Sequence, residues 1–351
     1  MSLQKLTGWL RRTSPMLILA LVAGVVVYAA PQAGGYHVIK RMPVGGEGGW
    51  DYMTVDPDTH RLYLARGSHF QVVDDTTGKL IGDIAIANST NSHGLALALD
   101  LGKGFTSNGD ANTVSVVDLK TLKATAVIPI PGKNPDSIRY DAASKKVFTF
   151  NGKSMDSTVI DATTEKVIGT VKLAGKPEEA IVDGGNMWVN IEDKSVIQQF
   201  DIKTYAIKGS YPLAPCEGPS AMAFDAAHHR IFVACDKVMV VVNSDNGKVV
   251  ASPPIGGDPD GNGYDPETGM AFASCRDGFV SVIRQDSADK YTNVGNINTQ
   301  AGTRTMALDT KTHRVYTETA DFKPAPPPTP DNPRPRPIPI PGSFVVLEVG
   351  K

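Results

Sequence analysis

A segment of roughly 40 residues recurs along most of the chain, and this repeat restricts the fold more than any other feature of the sequence. Each copy carries an apolar or aromatic residue at the centre of a short run of strand-forming residues. Successive copies of this residue are separated by 42, 43, 39, 45, 40 and 44 positions. The seven copies are Tyr63, Phe105, Phe148, Met187, Phe232, Phe272 and Tyr316. A period of this length is typical of one four-stranded blade, so the repeat predicts a seven-bladed β-propeller.

Turn-forming residues divide each copy into four short strands. A turn-opening residue stands seven positions before the central residue in six copies, at Asp56, Ala98, Asp141, Asp225, Asp265 and Asp309. In the first copy a third strand ends at Asp74, and the turn 76–79 leads into a fourth strand. No segment after residue 29 shows sustained helical periodicity. The chain is therefore predicted to be all-β, with antiparallel blades of four strands.

The last copy lacks a fourth strand of its own. The chain stops soon after the strand-like run 344–348, whereas the strand-like segment 36–44 precedes the first copy. Pairing this N-terminal strand into the last blade closes the ring and covers a sheet edge that would otherwise be exposed. We therefore predict that residues 36–351 form a single propeller domain whose last blade is closed by the N-terminal strand.

The repeat resembles that of the YVTN-type β-propeller family, the YncE-like exported bacterial proteins, over residues 36–351. Its signature tetrapeptide is matched loosely by Phe105-Thr106-Ser107-Asn108 and by Phe148-Thr149-Phe150-Asn151. The terminal Asn of the signature is replaced in four other copies, by Arg66, Cys235, Cys275 and Thr319. The resemblance implies an exported propeller, but it does not imply one activity, because this fold carries many unrelated sites.

The N-terminal segment has the features of an export signal. Three basic residues precede an apolar run over residues 16–27, which ends in the small-residue pattern Val27-Tyr28-Ala29 that a signal peptidase reads. We therefore predict that residues 1–29 are a signal peptide and that the mature protein is periplasmic or secreted. The alternative is a short, uncleaved membrane anchor, although the run is shorter than the roughly 20 residues of a spanning helix.

Seven polar residues occupy one matching position of the repeat, at the start of the first strand of each copy. They are Asp51, His93, Asp136, Glu178, Ser220, Asp260 and Arg304. First strands line the channel of a propeller, so these side chains are expected to converge on one channel mouth as candidate ligand-binding residues. Among them, Asp136, Glu178 and Asp260 are candidate ligands of a divalent cation such as Ca²⁺. The alternative is that these positions are polar only because they meet water.

A second set of polar residues lies at the ends of second strands, on the same face. Asn108, Asn151 and Asn190 occupy this position in three consecutive copies, and His69 follows just beyond it in the first copy. All four are candidate ligand-binding residues. Asn also tolerates the backbone conformation of a following turn, so turn formation is the alternative explanation of the three amides.

Three cysteines are present: Cys216, Cys235 and Cys275. Cys216 lies just before the first strand of the fifth copy, and Cys235 ends its antiparallel second strand, so this hairpin brings the two close together. A Cys216–Cys235 disulfide is predicted, and related sequences of the YVTN-type family carry Cys at both places. A Cys235–Cys275 bridge is the alternative, across a wider gap between neighbouring blades.

An insertion with ten prolines, residues 323–342, separates the second and third strands of the last copy. Proline-rich segments adopt extended polyproline II structure and cannot add to a sheet. The insertion is expected to project from the channel-mouth face. It is interpreted as a lid over the mouth, as a contact for an envelope protein through Arg334 and Arg336, or as a stiff solvated loop.

Charge and missing motifs narrow the range of functions. The net charge of −2 and the pI of 6.4 argue against nucleic acid as a partner, because nucleic-acid binding uses a clustered basic surface. The chain has no Cys-x-x-Cys-His, His-Glu-x-x-His or Gly-x-Ser-x-Gly motif. We therefore expect a binding or interaction module that uses the polar channel mouth for a small ligand, a cation or a protein partner. The alternative is a metal-dependent hydrolase or lactonase with a divalent cation at that mouth.

Overall fold

Seven four-stranded antiparallel sheets stand in a ring around a central channel. This computed structural model describes residues 33–329, 333 and 335–351. Among these residues the helices are short 3₁₀ turns, Ala33–Gly35, Leu99–Leu101 and Glu192–Lys194. No helix in the described part of the chain is both long and apolar enough to cross a membrane. The predicted signal peptide, residues 1–29, lies outside the described residues.

The strands follow one another in a regular order along the chain. Strand β1 (His37–Pro43) precedes the first blade. Blade 1 is β2 (Met53–Asp56), β3 (Arg61–Ala65), β4 (His69–Asp74) and β5 (Leu80–Ala85). Blade 2 is β6 (Ser92–Ala98), β7 (Lys103–Asn108), β8 (Thr113–Asp118) and β9 (Lys123–Pro129). Blade 3 is β10 (Pro135–Asp141), β11 (Lys146–Asn151), β12 (Asp156–Asp161) and β13 (Lys166–Lys172).

The remaining blades repeat this order. Blade 4 is β14 (Pro177–Asp183), β15 (Asn186–Ile191), β16 (Val196–Asp201) and β17 (Ile207–Pro212). Blade 5 is β18 (Ala221–Asp225), β19 (Arg230–Cys235), β20 (Val238–Asn243) and β21 (Lys248–Ala251). Blade 6 is β22 (Pro259–Asp265), β23 (Met270–Cys275), β24 (Phe279–Ser287) and β25 (Lys290–Asn298). Blade 7 contains β26 (Met306–Asp309), β27 (Arg314–Thr319) and β30 (Val345–Gly350), with the two-residue strands β28 (Phe322–Lys323) and β29 (Ile338–Pro339) between the last two.

The N-terminal strand completes blade 7, as the sequence predicts. Strand β1 pairs antiparallel with β30, from His37 opposite Gly350 to Pro43 opposite Val345. The sheet order β26–β27–β30–β1 places the first described strand on the outer edge of the last blade. Met42 of β1 is buried against Phe344. The predicted all-β, seven-bladed propeller is therefore confirmed, because the two ends of the ring meet in one sheet.

Turn chemistry explains why the strands end where they do. Asp118 closes the third strand of blade 2, and its carboxylate accepts hydrogen bonds from the backbone N–H groups of Lys120 (3.0 Å) and Thr121 (2.7 Å). Asp161 makes the same contacts in blade 3. These acceptors replace ladder hydrogen bonds and turn the chain back into the fourth strand.

The hydrophobic core lies between neighbouring blades. Phe105 of blade 2 packs in one cluster with Ile138 and Val147 of blade 3, and Tyr63 of blade 1 packs with Leu95 of blade 2. The fourth strands are mostly exposed, whereas the first strands contact their counterparts in both adjacent blades. Each blade therefore buries its apolar surface only when both neighbours are in place, and the first strands line the channel.

The proline-rich insertion leaves blade 7 through a short hairpin. Phe322 and Lys323 pair antiparallel with Pro339 and Ile338. Residues 330–332 and Arg334 lie outside the described residues. The insertion thus starts and ends at one point of the fold, between β27 and β30.

The predicted Cys216–Cys235 disulfide is present, with its two Cα atoms 5.5 Å apart. Cys235 ends β19, and Cys216 lies shortly before β18, the strand that pairs with β19. Cys275, the partner in the alternative bridge, is a buried free thiol. The bridge therefore forms within blade 5, where the hairpin brings the two chain segments together.

Candidate functional site

Local irregularities in four first strands lie where the predicted mouth residues are found. The pairing of first and second strands shifts register within Ser92–Leu95, Pro135–Ile138, Pro177–Ala180 and Pro259–Gly261. These segments contain His93, Asp136, Glu178 and Asp260. A bulge bends its strand and redirects the side chains within it. Four of the seven predicted mouth residues thus sit at points where the strand departs from regular pairing.

Hydroxyl groups from neighbouring blades hold the backbone at these points. Ser107 Oγ of blade 2 donates to the carbonyl oxygen of Asp136, and Ser137 Oγ of blade 3 donates to that of Glu178. Ser220 Oγ donates to the carbonyl oxygen of Pro259 at 2.6 Å. The backbone at Asp136, Glu178 and Pro259 is therefore hydrogen-bonded to the adjacent blade.

A cavity of about 600 Å³ occupies the channel mouth. Six of the seven predicted mouth residues line it, namely Asp51, Asp136, Glu178, Ser220, Asp260 and Arg304. Side chains that the repeat column did not include complete the wall: Lys176, Glu192, Asp236, Asp258, Arg276 and Arg336. Carboxylates outnumber cations in this wall, so the mouth favours a cation or a ligand that carries positive charge.

His93 lies between two carboxylates at one side of the mouth. Its Nδ1 atom is 2.5 Å from Asp51 Oδ2 and 3.6 Å from Asp136 Oδ1. One ligand atom from each of the three residues lies within 4.8 Å of the others, a spacing that a single metal ion can bridge. The Nε2 atom is 3.0 Å from the side-chain amide nitrogen of Asn91, which orients the ring. We call Asp51, His93 and Asp136 the mouth cluster.

The pKa values of His93 and Asp136 are both raised in the mouth cluster. Burial on its own lowers the pKa of His93, but the hydrogen bond to Asp51 and the charge of Asp136 outweigh burial and raise this pKa. Burial raises the pKa of Asp136 to about 6. The positive charge of His93 lowers this pKa, whereas repulsion by the Asp51 carboxylate raises it further. Because a metal ion binds deprotonated ligands, it would displace the proton that the cluster holds.

Ion pairs continue around the mouth from Asp51. Arg304 contacts Asp260 through Nη1 and lies 3.4 Å from Asp51 through Nη2, which also donates to the Trp50 carbonyl oxygen at 2.7 Å. Arg276 Nη2 lies 4.0 Å from Asp260. The carboxylate of Asp260 is therefore already paired with guanidinium groups.

Glu178 is also paired with a cation. Lys176 Nζ lies 3.3 Å from Glu178 Oε2 and contacts Glu192 as well. Burial raises the pKa of Glu178, the Asp136 charge adds to the rise, and the Lys176 ammonium opposes it. The structure thus groups Asp136 with Asp51 and His93. The other two predicted metal ligands, Glu178 and Asp260, each contact a cationic side chain.

A smaller cavity adjoins the mouth cavity. Asp260 lines both the mouth cavity and a second cavity of about 90 Å³, which Arg139 and Glu179 also line. Arg139 forms an ion pair with the buried Glu179, and its Nε donates to the Ala180 carbonyl oxygen at 2.8 Å. The Arg139–Glu179 ion pair therefore belongs to the smaller cavity, which shares Asp260 with the mouth cavity.

The second predicted set of polar residues does not line the mouth cavity. Asn108 and Asn151 are fully buried, and their amide groups donate to side chains of the adjacent third strand, Thr113 and Ser115 for Asn108. Asn190 is fully buried too. His69 Nε2 lies 3.7 Å from Asp83 of the outer strand β5, away from the partners of His93. The three amides therefore occupy interior positions at the strand ends, and none of the three has the positive φ expected of a turn-forming Asn.

Sequence reasoning missed several charged residues of the wall because they fall outside the matched column. Lys176 and Asp258 stand two positions before Glu178 and Asp260. Asp236 and Arg276 directly follow Cys235 and Cys275 at the ends of second strands. A search of the positions that flank both columns would have found these four residues.

Similarity to solved structures is confined to the fold. A chain of Kuenenia stuttgartiensis hydrazine synthase superposes with a TM-score of 0.66 at 16% sequence identity, over 81% of this chain and 94% of that chain. A chain of a mitotic checkpoint complex superposes with a TM-score of 0.69 at 12% identity, over 88% of this chain and 95% of that one. No family model and no curated protein matches the chain. At these identities the likeness shows a propeller and carries no function with it.

Proposed function

We propose that this protein is an exported binding module of the YVTN-type propeller class, and that it binds a divalent cation or a small cationic ligand at the channel mouth. Export rests on the signal-like segment 1–29, and the class rests on the repeat described above. A periplasmic or secreted location follows from this proposal. The fold itself is common to binding proteins and enzymes, so the choice between them depends on the mouth.

The mouth cluster carries the proposal. Asp51, His93 and Asp136 come from three different blades, and they present one nitrogen and two carboxylates within 4.8 Å beside a cavity of about 600 Å³. The two other predicted metal ligands of the mouth already form ion pairs, Glu178 with Lys176 and Asp260 with Arg304. Arg304 also lies 3.4 Å from Asp51 Oδ1. Among the described residues, however, the mouth cluster is the group that brings three possible metal ligands within 4.8 Å of one another, so we assign the ion to this cluster.

The ligand atoms indicate which cation fits. Ca²⁺ takes six to eight oxygen atoms, whereas imidazole nitrogen suits transition metals such as Zn²⁺. A set of one imidazole and two carboxylates favours Zn²⁺ or Mn²⁺ over the Ca²⁺ expected from the carboxylates alone. Coordination by His93 requires its ring nitrogen to be deprotonated, so binding also releases a proton.

Elemental analysis of the purified protein, together with melting curves, tests this proposal. We expect a stoichiometric amount of Zn or Mn, or uptake of one ion per chain when either metal is added, and a lower melting temperature after chelation. The matched control is Asp258→Asn, which removes a carboxylate of the same wall outside the cluster and should keep the ion. Absence of bound ion and of any chelator effect would refute cation binding at the mouth.

A second function, metal-dependent hydrolysis of an ester or lactone, is favoured by one further observation. Three protein ligands beside an open cavity leave coordination positions for water and substrate, as in catalytic zinc sites. A metal held there would polarise a substrate carbonyl and lower the pKa of bound water. Arg304 lies 3.4 Å from Asp51, one of the three ligands. Turnover of a lactone panel by the Zn²⁺-loaded protein, lost in His93→Gln, would establish this activity. Ion binding without turnover would leave the binding module as the function.

A further inference from the structure

A third cavity, separate from the mouth, lies between the last and first blades. Its volume is about 380 Å³, within the range of small-molecule sites. Most of its wall is apolar or glycine: Trp50, Ala320, Pro339, Ile340, Pro341, Phe344 and the glycine-rich loop 46–49. It shares no lining residue with the mouth cavity. We call this space the side pocket.

One cationic side chain, Arg66, belongs to the wall of the side pocket. Arg66 is 1% exposed, and its guanidinium carbon lies 3.6 Å from the centre of the Phe344 ring. Its Nη2 atom donates to the carbonyl oxygens of Glu47 (3.2 Å) and Gly48 (3.3 Å). None of the described residues accepts a hydrogen bond from its Nε or Nη1 atom. The buried guanidinium therefore keeps two nitrogen atoms without an acceptor.

Arg66 differs from the residues at the matching position in blades 2 and 3, although Asn190 of blade 4 also has no hydrogen-bond partner among the described residues. The matching positions in blades 2 and 3 hold Asn108 and Asn151, whose buried amides are hydrogen-bonded to neighbouring side chains. Leaving a buried charged donor without an acceptor costs more than leaving a neutral one. A native structure retains such a group where something else supplies the acceptor, either a water or a ligand.

A second buried donor belongs to the wall of the side pocket, whereas Glu47, the acidic residue of the wall, is exposed to solvent. Trp50 Nε1 is buried and has no acceptor among the described residues, although its ring packs 5.5 Å from that of Phe344. The glycine-rich loop passes close to Arg66, since a Cβ atom on Gly48 would stand 2.4 Å from the Arg66 carbonyl oxygen, and Gly48 has a φ of +96°. Glycine is thus required where the loop covers the guanidinium.

We propose that the side pocket binds a small monocarboxylate with an aromatic or branched apolar body. The buried polar side chains of the wall, Arg66 and Trp50, are donors and suit an anion, and the single buried positive charge matches a single negative charge. A doubly charged phosphate would leave one charge buried without a partner. The apolar walls remove the apolar body of the ligand from water, which favours binding. Arg66 and Trp50 donate hydrogen bonds to its carboxylate.

Calorimetric titration of the full protein with phenylpropanoate, and with the uncharged phenylpropanamide of nearly the same shape, tests the proposal. We expect saturable binding of the acid, with at least about tenfold weaker binding of the amide. Quenching of Trp50 fluorescence should follow the same curve, and Trp50→Phe should remove the quenching and weaken the affinity.

Variants assign the binding to the side pocket. Arg66→Gln should abolish the preference for the acid, and Arg66→Lys should lower it, because lysine keeps the charge but lacks the planar set of donors. Arg276→Gln is the matched control, since it removes a guanidinium from the mouth cavity and should leave acid binding unchanged. If Arg66→Gln does not fold, the comparison of acid with amide on the unmodified protein remains decisive.

Three results would overturn the proposal: equal affinity for acid and amide, retention of acid binding in Arg66→Gln, or no binding of either probe up to millimolar concentration. The last result would mean that water alone satisfies Arg66. Since none of these measurements involves the mouth cluster, their outcome is independent of metal binding there. Asp136→Asn, which disrupts the mouth cluster, should keep full acid binding.

Discussion

The imidazole Nδ1 of His93 lies 2.5 Å from Oδ2 of Asp51. His93 belongs to blade 2 and Asp51 precedes the first strand of blade 1, so this contact exists only when the two blades are assembled. Asp136, from blade 3, completes the group at 3.6 Å. The candidate metal site is therefore a property of the ring and not of any single repeat.

His93→Gln should weaken the binding of Zn²⁺ or Mn²⁺ by at least about 100-fold, because loss of a direct ligand costs no less than loss of a group that merely orients one. Calorimetric titration with each metal measures the change. Asp258→Asn should bind as tightly as the unmodified protein. Unchanged affinity in His93→Gln would place the ion elsewhere at the mouth and return attention to Glu178 and Asp260.

Glu318→Gln should reduce the pH dependence of stability. Glu318 is fully buried, and burial raises its pKa to about 8, although Oε1 accepts a hydrogen bond from Thr305. In the unfolded chain a glutamate releases its proton at a pKa of about 4.3. The folded protein therefore binds more protons between these two values, and its free energy of unfolding falls as pH rises through that window.

Because glutamine has no proton to lose, Glu318→Gln should be more stable than the unmodified protein at about pH 8, on the order of 2–4 kcal/mol, and similar to it near pH 4. Urea denaturation at both pH values measures the difference. Other buried carboxylates contribute equally to both proteins, so the comparison isolates Glu318. An equal slope of stability against pH in the two proteins would show that Glu318 does not hold a proton in the folded state.

Loss of the disulfide should destabilise blade 5. Cys216 and Cys235 are 19 positions apart, and closing a loop of this length contributes about 3 kcal/mol, chiefly by restricting the unfolded chain. The double variant Cys216→Ala/Cys235→Ala should lose this amount in urea denaturation. Cys275→Ala, which leaves the bridge intact, should remain sensitive to reductant, whereas the double variant should not. A double variant as stable as the unmodified protein would contradict this prediction.

Closure of the ring should depend on the packing of the N-terminal strand. Met42 of β1 is 1% exposed in the cluster that joins blade 7 to blade 1. Met42→Ala should therefore lower the free energy of unfolding by about 2–5 kcal/mol, as measured by chemical denaturation. Met155→Ala changes the same side chain at a site that is 40% exposed, so it should change stability much less. Equal effects of the two substitutions would mean that β1 contributes little to closure.

The periodic features of the chain were predictable because they depend on neighbours in the sequence. An aspartate such as Asp118 caps its own turn, and a residue such as Phe105 recurs at the centre of each second strand. The Cys216–Cys235 bridge follows from the same logic, since one hairpin holds both residues. Strand order, blade number and closure by β1 all rest on such local patterns repeated seven times.

The candidate site was predictable only in part. The repeat column correctly located side chains at the mouth, and as ligand residues they stay predictions. It could not show that Lys176 pairs with Glu178 and that Arg304 pairs with Asp260. Nor could it show that His93 lies between the carboxylates of Asp51 and Asp136. These pairings depend on bulges in the first strands, which change side-chain direction without altering the repeat.

Arg66 illustrates which features follow from the sequence and which depend on the assembled ring. In the sequence, Arg66 is one departure from an Asn column, and the blade architecture follows without it. Only the assembled ring places its guanidinium against Phe344, at the seam between the last and first blades. The difference comes from separation along the chain. Turns and strands form from interactions between near neighbours, whereas the mouth cavity and the side pocket are built by side chains that meet only after the ring has closed.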